Sequence, residues 1–381
     1  MIPDTPTLPR TGARSLAFSR VAWLASVAFC GLLPVATVLA LFATAIQEDA
    51  VAFDFRPFYS AAGAVLEGET PYPEADDPLT ARSGAYVYPP LTALLTVPFR
   101  VVSLDAAGLV MMVVLTLAAA AIPFVVGVRD WRCYGLAFIW PPVLSAIQTG
   151  NLTLLLGLAA AVAWRFRDRA ALSSFATGVT LAAKFFLWPL VVWLAASRRS
   201  AAAALSCAIG LALLALSWGA IGFAGLGDYP DLMRRLEDSI GADSYTAYVV
   251  GLDLGFSSTF ARALWLSLGL GLLAATVITA RRGDDRSAFI LAVTAALALT
   301  PIVWLHYFAL LLVIVAVGQP RLGVAWFVPL AMLITPGSGH PTPFQTAATL
   351  AIAAVTVALA LHASNRGQVA TPVPRDRLGT A

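Results

Sequence analysis

Long apolar runs separated by short polar breaks cover most of the chain. Two runs, 21–46 and 106–128, each exceed the roughly 20 apolar residues that a helix needs to cross a bilayer. Ten further apolar runs follow at 133–147, 152–166, 170–184, 185–197, 200–223, 260–281, 287–304, 305–318, 322–336 and 345–363. The pattern therefore predicts an all-α integral membrane protein, a polytopic helical bundle with about twelve membrane segments, several of them short or re-entrant.

The composition indicates that lipid surrounds this chain. Hydrophobic residues make up 59% of the sequence, charged residues only 12%, and the mean hydropathy is +0.82. A typical soluble domain carries roughly 25% charged residues, because its surface must face water. The net charge of +3 is not accompanied by a nucleic-acid-binding motif. The lipid bilayer is therefore a predicted partner, and nucleic acid is not.

The distribution of basic residues predicts the orientation. Seventeen of the 24 lysines and arginines fall at one set of segment ends, which the positive-inside rule assigns to the cytoplasm. The predicted organisation is a cytoplasmic segment 1–20, a single transmembrane domain 21–363 and a disordered cytoplasmic tail 364–381. Two loops, 47–90 and 225–259, lie on the outer side and make it net negative. The first apolar run is too long for a cleaved signal peptide. The chain is predicted to be a multi-pass protein of the plasma or inner membrane.

Two other classes of site lack their sequence motifs. No Walker-type glycine loop occurs, and the cytoplasmic connections are too short for a nucleotide-binding domain, which excludes a single-chain ATP-driven transporter. Cys30, Cys133 and Cys207 lie in or beside apolar segments without a CxxC pair or a nearby histidine. They are predicted to be packing residues rather than a disulfide or a metal site.

The first outer loop holds an aspartate between two aromatic residues. Asp54 lies between Phe53 and Phe55, a few residues beyond the end of the first apolar run. A carboxylate in such a partly desolvated place has a raised pKa, which suits a general base, whereas a solvated loop aspartate is the alternative. The apolar residues of 57–66 then recur at helical spacing up to Gly68, which predicts an interfacial helix that ends there.

Three cationic or titratable residues stand out beside the apolar segments. Lys184 is the only lysine in the chain and lies at the outer end of a short apolar segment. It either binds an anion such as a phosphate or extends to the interface as a snorkelling side chain. His306, between Trp304 and Tyr307, is either a ligand contact or a packing residue. Arg56 either neutralises a phosphate or pairs with an acidic loop residue.

Polar and aromatic residues on the predicted outer face have two interpretations each. Gln148 and Asn151 form a polar turn between two short helices and would bind sugar hydroxyls or cap the backbone. Tyr72, Tyr86 and Tyr88 would contact a ligand or anchor the chain in an aromatic belt at the membrane boundary.

Five segments, taken in order, resemble a known family. They read "DFRPFYSAAGAVLEGETPY" followed by "YVYPP", then "IQTGNLTLLLGLAAAVAWRFRDR", "FATGVTLAAKFFLWPL" and "LTPIVWLHYFALLL". This ordered set, which covers most of residues 50–310, resembles glycosyltransferase family 87 of the GT-C superfamily. The resemblance implies a GT-C-like bundle that inverts configuration while moving a sugar from a polyprenyl-phosphate donor to a glycan or glycolipid acceptor. Mannose is the first candidate sugar, arabinofuranose the second.

The resemblance also implies roles for the residues singled out above. The matching general base is Asp54, facing the extracytoplasmic side, with no metal or other cofactor required. The implied contacts to the donor phosphate and sugar are Lys184, His306, Arg56, Tyr59 and Tyr307. The implied contacts to the acceptor or sugar are Tyr72, Tyr86, Tyr88, Gln148 and Asn151.

Two other functions remain as alternatives at this point. A secondary transporter would also use about twelve segments with broken helices and intramembrane polar residues, but the two halves of the sequence show no internal repeat. A structural or flippase-like membrane protein is compatible with the same hydropathy pattern.

Overall fold

The computed structural model describes residues 20–48, 51–73, 84–336 and 340–369. These residues form helices and turns, with no β-strand among them. The α-helices are α1 (Arg20–Gln47), α2 (Arg56–Glu67), α3 (Pro90–Thr96), α4 (Leu104–Val126), α5 (Trp131–Ala137), α6 (Pro141–Thr149), α7 (Thr153–Arg165), α8 (Ala170–Ala183), α9 (Pro189–Ala196), α10 (Ser200–Ala220), α11 (Tyr229–Ile240), α12 (Ala247–Asp253), α13 (Ser258–Arg281), α14 (Asp285–Leu299), α15 (Leu311–Gly318) and α16 (Pro343–Val369). Short 3₁₀ helices lie at Phe53–Phe55, Val97–Val101, Gly241–Asp243, Leu305–Leu310, Val324–Trp326 and Val328–Ile334. The helical prediction is confirmed for the described residues.

Five of the described helices are long and apolar enough to cross a membrane: α1, α4, α10, α13 and α16. The consecutive helices α6 and α7 make a sixth crossing if they are counted together, although they are bent by 117°. The prediction of about twelve segments is not confirmed, because many of the predicted runs are short or interrupted helices. The run 133–147, for example, divides before Pro141, which begins a new helix.

The long helices surround a core of short ones. Only 11% of the most apolar stretch of α1 and 17% of that of α13 are buried in the protein, so their leucines and valines face outward. By contrast, every residue of α15 is buried. An apolar outer surface around a buried core is the arrangement that a lipid environment requires, and the chain is a membrane protein.

The interior includes an ionic cluster at the end predicted to face the cytoplasm. Asp285 accepts hydrogen bonds from Arg167 Nε at 2.9 Å, Arg199 Nη2 at 3.0 Å and Trp193 Nε1 at 2.8 Å. Arg199 also pairs with Asp168 at 2.9 Å. The cluster joins the ends of α7, α9 and α14. Its arginine and aspartate charges compensate one another in a place where the side chains are partly buried.

The two predicted outer loops contain helices. The predicted helix of the first loop is confirmed as α2, and Gly68 ends it in the left-handed conformation with φ of +77°. The second loop contains α11 and α12. Parts of the first loop, including 74–83, and most of the segment 1–20 lie outside the described residues. The last helix continues to Val369, beyond the predicted start of the tail at 364, and 370–381 also lie outside the described residues.

Candidate active site

The site begins at the break between α6 and α7. Gly150 ends α6 with φ of +74°, a conformation that side chains with a Cβ rarely adopt. A Cβ on this glycine would lie 2.8 Å from the Cβ of Ala52 and 2.9 Å from the Cβ of Phe55. The missing side chain therefore lets the first outer loop approach the break directly.

This approach brings Asp54 against Asn151. The amide Nδ2 of Asn151 donates to Oδ2 of Asp54 at 3.2 Å. The amide oxygen of Asn151 accepts from the backbone NH of Thr153 at 3.1 Å and from its hydroxyl at 2.7 Å. Because Thr153 holds the oxygen, the NH₂ group of Asn151 must point at the carboxylate. Nδ1 of His306 lies 3.8 Å from the same carboxylate oxygen.

The surroundings of Asp54 change its acidity. Burial raises the pKa of its carboxyl from 3.8 to about 6, because the charged form loses hydration. The neighbouring Asn151, Thr149 and Lys184 each oppose this rise. The side chain keeps 23% of its surface exposed, so it remains in contact with the adjacent cavity. A carboxylate with this pKa is ionised at neutral pH and still basic enough to accept a proton in catalysis.

A partly buried cation lies among aromatic residues near Asp54. Lys184 follows the end of α8, and its ammonium donates to the hydroxyl of Tyr88 at 3.3 Å and to the hydroxyl of Tyr307. The same nitrogen lies 3.9 Å from the ring centre of Tyr307 and 4.9 Å from that of Tyr88. Among the described residues, no carboxylate forms an ion pair with Lys184. Its positive charge is held by hydroxyls and ring faces, which leaves it available to an anion.

One cavity of about 750 Å³ joins these groups. Its polar lining includes Asp54, Tyr88, Asn151, Lys184, His306 and Tyr307. Its apolar lining includes Leu181, Leu214, Met233, Leu236, Leu299 and Ile302, most of them from α8, α10, α11 and α14. The cavity therefore offers both a charged region and an extensive apolar wall to one ligand.

His306 has an unused hydrogen-bonding atom in this cavity. The residue is 6% exposed, and its Nε2 is buried without a hydrogen-bond partner among the described residues. A buried polar atom of this kind costs stability unless something bonds to it. A bound ligand in the cavity would supply that partner.

Other predicted site residues lie elsewhere. Tyr59 donates to the carbonyl of Val102 at 2.7 Å, and Tyr86 bonds to the hydroxyl of Thr92 at 2.6 Å in the core. Neither tyrosine lines the cavity, and neither do Arg56 and Gln148. Of the predicted contacts, the structure brings together Lys184, His306, Tyr307, Tyr88 and Asn151 around Asp54. Tyr72 lines a second, smaller cavity beside this one.

The second outer loop contributes residues to the cavity that the sequence did not single out. Tyr229, Arg234 and Glu237 of α11 line it, as does Trp218 near the end of α10. The charged and apolar residues of α11 alternate at helical spacing, which indicates an amphipathic helix but not what its faces contact. No group of three or more His, Cys, Asp or Glu that could hold a metal ion occurs in the described part of the chain.

Comparisons with known proteins identify a family. The family model of glycosyltransferase family 87 matches residues 86–301, which is more than half of the chain. Among curated proteins and solved structures, no match is found. The matched range contains Tyr88, Asn151 and Lys184, whereas Asp54 precedes it and His306 follows it.

Proposed function

The chain belongs to glycosyltransferase family 87, and we propose that it moves a sugar from a polyprenyl-phosphate donor to a hydroxyl of a glycan or glycolipid acceptor. Mannose is the sugar we propose first. The observation that supports this function most is the meeting of Asp54, Lys184 and a long apolar wall in one cavity. A lipid-linked sugar phosphate needs a base for the acceptor, a cation for the phosphate and an apolar surface for the lipid.

The proposed reaction is a single displacement. The acceptor oxygen attacks the anomeric carbon of the sugar, and Asp54 takes the hydroxyl proton as the new bond forms. The bond between that carbon and the phosphate oxygen breaks on the opposite side, so the configuration inverts. Polyprenyl phosphate leaves with the bonding electron pair and gains one negative charge. The ammonium of Lys184 stabilises that charge, because it lies in a cavity with little competing water.

The apolar part of the cavity fits the lipid of the donor. Leu214 of α10, Leu236 of α11 and Leu299 of α14 line it on different helices. Isoprene units gain roughly 25 cal/mol per Å² of apolar surface that they bury. A donor placed with its phosphate at Lys184 would extend its first isoprene units along these leucines.

The orientation follows from the charge distribution. The site would face the extracytoplasmic side of the plasma or inner membrane, with both termini in the cytoplasm, because most arginines fall at the opposite segment ends. Polyprenyl phosphate is a membrane lipid, so a donor of this class reaches such a site without a nucleotide sugar.

Sugar transfer is expected to depend on pH through Asp54. The base works only when it is ionised, and its pKa is raised to about 6. The kcat/KM should therefore fall about tenfold per pH unit well below pH 6. The donor phosphodiester keeps its charge throughout this range. A solvated aspartate would delay the fall until about pH 4, so a profile of kcat/KM between pH 4 and 8 decides between the two.

Adding one methyl group at the α6–α7 break is expected to disrupt the site. Gly150→Ala places a Cβ against Ala52 and Phe55 and should move Asp54 away from Asn151, lowering transfer at least about tenfold. Gly127→Ala is the matched control, because Gly127 also has a positive φ of +97° but nothing within 4 Å of the added Cβ. Equal transfer rates for the two variants, measured at equal thermal stability, would contradict the arrangement proposed for Asp54.

The direct test is to incubate the purified protein with polyprenyl-phosphate mannose, arabinofuranose and glucose together with octyl glycoside acceptors. Mass spectrometry of the products should show one added sugar with at least one donor. If the protein transfers none of these sugars but moves a solute across liposome membranes, it is a transporter and the proposed function is wrong.

A further inference from the structure

Resting on the proposed function, we propose that the second cavity binds neutral sugar units of the acceptor glycan. This cavity has a volume of about 420 Å³ and lies between the first outer loop and the beginning of α11. Tyr72 and Thr70 line it on one side, and Asp228, Asp231 and Arg235 on the other. None of these charged residues takes part in the reaction described above.

The second cavity and the reaction cavity share one lining residue. Tyr229 lines both cavities, and its hydroxyl donates to the carbonyl of Val87 at 2.9 Å. Tyr72 donates to the carbonyl of Tyr88 at 3.0 Å, and its ring stacks on Trp218 with the centres 5.2 Å apart. These hydrogen bonds hold Tyr229 and Tyr72 against residues 87 and 88, and the side chain of Tyr88 lies beside Lys184. A glycan in the second cavity would therefore meet the reaction cavity at Tyr229.

The polar groups of the second cavity are available to a ligand. The Nε of Arg235 is buried without a hydrogen-bond partner among the described residues. Asp228 stands at the N-terminal end of α11, but its side chain makes no capping hydrogen bond. Asp231 pairs with Arg234, which lines the reaction cavity, so this ion pair links the two cavities.

This set of groups fits a neutral, hydroxyl-rich ligand. Carboxylates accept hydrogen bonds from sugar hydroxyls, and a guanidinium donates to sugar oxygens. Tyrosine rings contact the apolar faces of sugars. The two carboxylates disfavour a second phosphate, and a cavity of about 420 Å³ lined by three charged side chains does not suit a lipid chain. The acceptor class that remains is a saccharide of more than one unit, whose terminal hydroxyl reaches the reaction cavity.

The first test measures binding and needs no transfer. Octyl glycosides with one, two and three mannose or arabinofuranose units are titrated into the purified protein by calorimetry. The wild-type protein should bind at least one series more tightly as units are added. Arg235→Gln and Asp228→Asn should each reduce that gain in affinity about tenfold, which is the loss expected for one hydrogen bond to a charged group. Asp238→Asn is the matched control, since Asp238 is an exposed acid of the same helix that lines neither cavity.

Either of two outcomes would overturn this inference: no gain in affinity with glycan length in any series, or the same gain in both variants as in the wild-type protein. Kinetics then separate it from the proposed function. The variants should raise the acceptor KM about tenfold while the donor KM stays unchanged. A rise in the donor KM instead would contradict an acceptor site. Length-dependent glycan binding without any sugar transfer would leave the acceptor cavity standing and refute the enzymatic proposal.

Discussion

Replacement of Asp54 by asparagine is expected to lower sugar transfer by about 10²–10⁴-fold, the range that loss of a general base produces. Asparagine has almost the same size and keeps an oxygen that can accept the hydrogen bond from Asn151. It cannot take a proton from the acceptor hydroxyl. The turnover of donor by the purified variant, measured at pH 7.5 with saturating donor and acceptor, checks this result.

The effect must arise from chemistry rather than from folding. Burial opposes ionisation of Asp54, so the neutral asparagine should leave the thermal unfolding temperature unchanged or higher. Asp105→Asn removes an exposed acid from the first turn of α4 and is the matched control, expected to retain full activity. If Asp54→Asn transfers sugar at the rate of Asp105→Asn, the base lies elsewhere.

The sequence predicted the helical nature of the chain and the local structure around Asp54 because both depend on neighbouring residues. Apolar runs indicate helices wherever water is absent. The helix after Asp54 shows its own spacing and its own terminating glycine, and α2 ends at Gly68 as expected. Lys184 stood out because a single lysine beside an apolar segment is costly without a role.

The contacts of the site join residues far apart in the chain, and the sequence predicts them only in part. Tyr59 was grouped with the donor contacts, yet its hydroxyl bonds to Val102 and its ring lies against Arg100. No local sequence pattern singles out Tyr229, although its hydroxyl donates to the carbonyl of Val87, 142 residues earlier, and its side chain lines both cavities. Hydropathy shows how apolar a helix is but not which side of it faces a cavity.

The predicted number of membrane segments is not confirmed, for a similar reason. A run of apolar residues has the same sequence pattern whether it meets lipid or other helices. The fully buried α15 is apolar because protein surrounds it, not because it crosses the bilayer. Helix length in the structure distinguishes the two cases. Five of the described helices are individually long and apolar enough to cross a membrane.

Lys184→Met is expected to lower transfer by about 10²–10³-fold, comparable to removing one group that stabilises the charge of a transition state. Methionine keeps the length and apolar stem of the side chain but cannot neutralise the departing phosphate. The kcat should fall more than the donor KM rises, because the leaving phosphate carries more charge than the bound donor does. Single-turnover and steady-state rates with the same polyprenyl-phosphate donor measure the two effects separately.

A second measurement on Lys184→Met distinguishes a catalytic cation from a structural one. A partly buried ammonium that forms no ion pair with a carboxylate of the described residues costs folding free energy, so its removal should leave the thermal unfolding temperature equal or higher. Arg100→Met is the matched control. The guanidinium carbon of Arg100 lies 4.3 Å from the ring centre of Tyr59, and neither residue lines the cavity. That variant should keep full transfer. If Lys184→Met is destabilised but keeps a normal kcat, the lysine serves packing. If transfer is lost while stability is undiminished, the charge of Lys184 acts on the phosphate of the donor.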